Sequence, residues 1–128
     1  MTNSELLDKY YAAIKAGDAA KIEECVDSSF ELNWQGSDSI PWAGRWKGVA
    51  GLQKFFGILN QHLEVLEINR LHMLSDDAVT MTVLEGHWRM KASGKEIRAK
   101  AGNVFTFVNG KIASYTVLNN SAAFAEAM

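Results

Sequence analysis

One cysteine and one proline occur among the 128 residues, and neither sign of charge prevails, with 13 basic against 15 acidic side chains. Cys25 has no partner for an internal disulfide, and no basic stretch followed by an apolar run opens the chain, so a reducing, cytoplasmic location is the expectation. No apolar run approaches the length of a bilayer span, which argues against a membrane partner. A balanced net charge of −2 gives no basic field for phosphate backbones, so nucleic acid is not expected either. The three histidines, His62, His72 and His87, lack zinc-ligand spacing, and the chain has no HExxH motif, glycine-rich phosphate loop or nucleophile elbow; no metal or nucleotide cofactor is expected.

Apolar residues make up 48% of the chain, enough for one core, and no linker, repeat or charge block divides it, so residues 1–128 read as a single domain. Thr2-Asn3-Ser4-Glu5 fits a capping box, and Leu7, Tyr10 or Tyr11, and Ile14 recur at helical spacing until Gly17. Asp18 can cap a second helix carrying Ile22, Cys25 and Val26, with Cys25 read as an inert packing residue. Phe30, Leu32 and Trp34 alternate as a short strand. Residues 40–48 then form a loop holding Trp42 and Trp46, which covers either the core or a ligand pocket. Val49, Leu52, Phe56, Leu59 and Leu63 place a third helix from Val49 to about Leu63.

From Glu64 to Asn119, four strand-like runs are separated by Asp76-Asp77, Ser93-Gly94-Lys95 and Asn109-Gly110, the pattern of an antiparallel meander. In the third run Ile97, Ala99, Ala101, Asn103, Phe105 and Phe107 share a face, so Asn103 is either a structural hydrogen-bonder or meets a ligand in a cavity. In the second run Leu84, Gly86, Trp88 and Met90 share one face, and Val83, Glu85, His87 and Arg89 the other. Apolar groups on both faces suggest a homodimer through the outer one, and Gly86 suggests a bulge. Simple alternation puts His72 with Leu66, Ile68 and Leu74, as an inner histidine or a pocket base. His62 reads as a solvated cation at a helix end, and Asp38 as a turn residue at the pocket mouth.

Ala16-Gly17-Asp18, Pro41-Trp42-Ala43-Gly44-Arg45-Trp46-Lys47-Gly48 leading into Phe55-Phe56, and Val104-Phe105-Thr106-Phe107 followed by Asn109-Gly110-Lys111-Ile112 resemble SnoaL-like proteins of the NTF2-like superfamily. Ketosteroid isomerase and limonene epoxide hydrolase are relatives. The resemblance implies an α+β fold: a cone-shaped barrel in which a strongly curved, mostly antiparallel sheet packs on N-terminal helices around an apolar pocket. It puts Tyr10 where ketosteroid isomerase keeps its oxyanion-binding tyrosine, and Asn33 and Asn103 where that family has its general-base and protonated aspartates. SnoaL-like enzymes often carry an acid near the last strand, where this chain has Asn119.

The implied activity is that of an isomerase, cyclase or dehydratase on an apolar carbonyl compound, with Tyr10 and Asn103 polarising an oxygen and His72 or Asp38 moving a proton. The alternative is a non-catalytic binder of an apolar small molecule, since the family's acids are amides here. On either reading Asn33, Trp42, Trp46, Phe56, Trp88, Met90, Phe105, Tyr115 and Asn119 are the expected ligand-binding residues.

Overall fold

A computed structural model describes residues 1–128. The Thr2 hydroxyl accepts from the Glu5 amide and the Glu5 carboxylate from the Thr2 amide, a reciprocal cap that starts α1 (Asn3–Ala16); Gly17, at φ 66°, ends it in the left-handed region. Asp18 caps α2 (Ala19–Cys25), and the chain passes directly into β1 (Val26–Trp34). Part of the expected tryptophan loop is a strand, β2 (Gly44–Lys47), antiparallel to β1. It was hidden because only four residues, one apolar, carry it. After α3 (Gly48–His62) come β3 (Leu63–Ser75), β4 (Val79–Met90), β5 (Glu96–Val108) and β6 (Lys111–Leu118), the meander expected from the turn residues. Asn109 and Gly110 both have positive φ, 52° and 72°, as a type I′ turn demands.

The six strands form one curved, unclosed mixed sheet in the order β2-β1-β6-β5-β4-β3, with β1 and β6 parallel and all other neighbours antiparallel. A seven-residue helix, α4 (Ser121–Ala127), follows β6, capped by Asn120. At seven residues it is too short to show a period. The helices and the sheet's inner face enclose the core, whose largest fully buried side chains include Trp42, Tyr10, Phe30 and Phe105. No helix is long and apolar enough to cross a membrane.

Two bulges in β3 decide which of its side chains face inward. Val65 pairs with Trp88 and Glu67 with His87, leaving Leu66 extra; Arg70 pairs with Leu84 and His72 with Val83, leaving Leu71 extra. Each extra residue reverses the alternation. Ile68 and Arg70 therefore share the inner face, whereas His72 and Leu74 stand exposed on the outer one, which corrects the expected grouping. Gly86 is not itself a bulge, since its pairing with Ala99 runs in continuous register. Its role is steric: an added Cβ would lie 2.0 Å from Cη2 of Trp88, whose indole covers the glycine.

Candidate functional site

Between α1, α3 and the inner face lies a cavity in two adjoining parts. The outer chamber, about 540 Å³, is bounded by Asp8, Tyr10, Tyr11 and Ile14 of α1, Phe56 of α3, Ile68 and Arg70 of β3, Leu84, Asn103 and Tyr115. The inner chamber, about 190 Å³, shares Phe56, Ile68, Leu84, Asn103 and Tyr115 with it and is otherwise closed by apolar groups, including Trp34, Trp42, Trp88, Phe55 and Phe124. Three of the four tryptophans thus surround one small space. Phe124 holds them together, with ring centroids 5.5 Å from Trp34, 6.0 Å from Trp42 and 5.2 Å from Trp88.

All three tyrosines of the chain meet at the outer chamber. Tyr10 and Tyr11, neighbours on α1, both reach it, and β6 delivers Tyr115, whose ring centroid lies 6.4 Å from that of Tyr10. Tyr10 is 1% exposed, and its hydroxyl has no hydrogen-bond partner. Burial raises its pKa well above the usual phenol value, with smaller contributions from Tyr115, Tyr11 and Cys25. Burial also raises Tyr115, with Tyr11 adding to the shift. Tyr11 is pushed up to about 12 by burial, against opposing pulls from the Arg70 charge and the Asn103 side chain. All three are therefore neutral donors at ordinary pH. Asn103, 3% exposed, shares the wall with them, and its cross-strand neighbour Thr82 is buried with its own hydroxyl unpartnered.

The structure brings Tyr10, Asn103, Trp42, Phe56, Trp88 and Tyr115 of the expected residues to the cavity. It places the others elsewhere. His72 is exposed on the outer face, removed by the Leu71 bulge, and Asp38 is exposed in the turn before Ile40. Neither is at hand to move a proton in the cavity. Asn33 alternates with the buried Leu32 and Trp34 and pairs with Arg45 and Thr116, so it lies on the opposite face of β1. Asn119 holds the chain instead, its amide donating to the Gln35 carbonyl at 2.9 Å.

Phe105 is wholly buried behind the tyrosines, 4.4 Å from the Tyr115 ring, and Met90 is packed into the core at 1% exposure. Trp46 packs on Phe55 and donates to the Trp42 carbonyl at 3.1 Å, so the two loop tryptophans divide, one on the cavity and one on the core. Asp8, Tyr11, Trp34, Arg70 and Phe124 line the cavity without having been expected there. For Arg70 a signal existed, since alternation from Ile68 puts this cation on an apolar face.

The SnoaL-like domain pattern matches residues 7–115, a span from α1 through Tyr115 that contains all of the outer chamber's lining and most of the inner chamber's. The chain belongs to the SnoaL-like family. Among solved structures, an NTF2-like protein from Burkholderia xenovorans is similar at 18% identity and TM-score 0.89, covering 98% of this chain and 94% of that one. TerC, crystallised with polyporic acid, is similar at 16% identity and TM-score 0.82, covering 98% and 96%. A proposed polyketide cyclase from Pseudomonas putida reaches 22% identity and TM-score 0.70, covering 100% and 98%. At these identities the likeness establishes the shared fold. No curated protein matches the sequence. In this SnoaL-like chain the outer chamber carries three neutral tyrosines, the Asn103 amide, and the Arg70 and Asp8 charges.

Proposed function

We propose that this SnoaL-like protein takes up a small, apolar, ring-bearing molecule that carries a carbonyl or hydroxyl oxygen. The observation that carries this reading is the Tyr10 hydroxyl, buried and unpartnered, on a residue that lines a cavity whose other polar groups are Tyr11, Tyr115, Asn103, Asp8 and Arg70. An orphaned buried donor costs about 1–3 kcal/mol, a cost relieved by a ligand oxygen placed against it. The aromatic inner chamber suits the apolar part, where each 100 Å² or so of buried ligand surface contributes about 2.5 kcal/mol before ordering costs. TerC, with the same fold, was crystallised with polyporic acid.

An isomerase, cyclase or dehydratase also needs a proton carrier, and Asp8 is the carboxylate on the lining. The second reading, a non-catalytic binding protein, is favoured by the neutral tyrosines and amide that form the polar part of the wall away from the exposed Asp8 and Arg70. Turnover of a ketone ligand that disappears in Asp8→Asn would decide for the enzyme; ligand binding without turnover in the wild type would decide for the binder. The single cysteine, buried and free, suits a reducing cytoplasm.

Tyr10→Phe tests the central claim through two effects of opposite sign. Removing the unpartnered hydroxyl should raise stability by about 1–2 kcal/mol, read from urea unfolding without ligand. The same change should weaken 2-acetylnaphthalene by about 0.5–1.5 kcal/mol and leave naphthalene unchanged, read by calorimetric titration. Equal losses for both ligands would show that the hydroxyl does not serve an oxygen.

We also propose that two copies pair through the outer sheet face. His87 and Arg89 on that face are engaged within the chain by Glu96 and Glu64, so the free apolar part centres on Leu71, Leu74, Met81 and Val83, with Leu74 74% exposed. Sedimentation should show a dimer that Leu74→Lys together with Met81→Lys converts to monomer; a wild type that stays monomeric at high micromolar concentration would exclude the pairing.

A further inference from the structure

We infer that the ligand is an amphipathic anion, its carboxylate or acidic hydroxyl held at the outer chamber by Arg70. This rests on the small-molecule reading above and narrows it.

Arg70 points its chemistry at the cavity for a structural reason: it pairs with inward-facing Leu84, one residue before the bulge that reverses the alternation of β3. It forms no ion pair. Its one side-chain hydrogen bond runs from Nη1 to Sδ of Met73 at 3.5 Å, which leaves most of a five-donor fork available. Its charge acts within the site, since it favours the ionised form of the Tyr11 hydroxyl against the pull of burial. Arg70 and Asn103 from the sheet and Tyr10 and Tyr11 from α1 thus offer donors around one chamber. A neutral carbonyl has two lone pairs to share among them, whereas a carboxylate has about four and matches a guanidinium two bonds at a time. The opposing charge on the same lining is Asp8; both it and Arg70 are exposed and they form no ion pair with each other, so water screens both charges and the Arg70 fork stays free to turn toward a ligand. Asp8 then acts as a filter: it weakens every anion somewhat, and only one that reaches Arg70 is retained.

The test compares 2-naphthoate with 2-naphthamide, near-isosteric molecules that differ in charge, by chemical-shift titration of the backbone amides of the isotopically labelled protein. In the wild type both should shift the amides of Leu84, Asn103 and Tyr115, and naphthoate should bind about tenfold tighter. Arg70→Gln should level the two by weakening naphthoate alone, Arg70→Lys should keep a reduced preference, and Asp8→Asn should strengthen naphthoate about two- to threefold. Raising the salt concentration should narrow the wild-type preference. Equal binding of the two probes in the wild type, or a naphthoate preference that survives Arg70→Gln, would overturn the anion inference while leaving the pocket reading intact. Neither probe shifting cavity amides would overturn both. Because Arg70 is exposed, the unliganded spectrum of Arg70→Gln should match the wild type elsewhere, which separates lost recognition from lost folding.

Discussion

Raising the pH from about 9 to about 11 is expected to cost this protein about 3–4 kcal/mol of stability. All three of its tyrosines, Tyr10, Tyr11 and Tyr115, are held neutral in the fold, with Tyr11 at about 12 and the others raised as well. In the unfolded chain each ionises near its ordinary value of about 10. Between those values the unfolded state binds fewer protons than the native one, so stability falls as pH rises. The contribution is fully present below about pH 9 and is lost progressively above pH 10, at up to about 1.4 kcal/mol per tyrosine per pH unit.

Urea unfolding at several alkaline pH values would measure the slope, and absorbance at the tyrosinate band would give its cause. The native protein should show almost no phenolate at about pH 10.5, and three phenolates should appear together with loss of structure. Tyr115→Phe should reduce the slope by about a third. Gradual ionisation in the intact fold would mean that water reaches the tyrosines more freely than their burial implies. Binding of a neutral ligand, by the same logic, should be nearly flat between about pH 5 and 9, because the phenol donors do not change state there.

Gly86→Ala should have the next largest effect, and its two consequences can be separated. A methyl in a strand interior would ordinarily stabilise by about 0.5–1 kcal/mol relative to glycine. Here the new Cβ would stand 2.0 Å from Cη2 and 2.3 Å from Cζ2 of Trp88, so the indole must move. Phe124 blocks one way out, with its ring centroid 5.2 Å from that of Trp88, and the inner chamber is the other. Forcing a side chain out of place in a packed core costs about 1–3 kcal/mol, which exceeds the strand gain. If Trp88 swings inward, part of that cost is recovered, but the chamber of about 190 Å³ is filled.

The expected result is net destabilisation together with loss of ligands long enough to reach the inner chamber. Compact ligands confined to the outer chamber should be much less affected. Calorimetric titration with naphthalene and with the longer 2-phenylnaphthalene would separate the two, and a Gly86→Ala protein that binds both as before would show that Trp88 does not depend on the glycine for its position.

The sequence by itself determined the elements whose signals are local. The Thr2–Glu5 cap and Gly17 bounded α1, Asn109-Gly110 fixed the last hairpin, and strict alternation put Asn103 on the inner face beside Phe105 and Ile97. The motifs around Pro41–Gly48 and Val104–Ile112 carried the likeness to the SnoaL-like family, to which the chain belongs. These features depend on residues near one another in the chain, where steric and hydrogen-bonding preferences act directly.

Only the tertiary structure decided what depends on register between distant segments. The Leu66 and Leu71 bulges arise where β3 meets β4, and they alone sent His72 outward while keeping Arg70 in, although unbroken alternation groups the two. Likewise α4 is too short to show a period, yet it brings Phe124 against three tryptophans spread from Trp34 to Trp88. Neighbouring tyrosines at 10 and 11 also meet one from β6 only because helix and sheet pack face to face. A cavity is a property of that packing, and its polar wall was set by which side chains the bulges and the helix turned toward it.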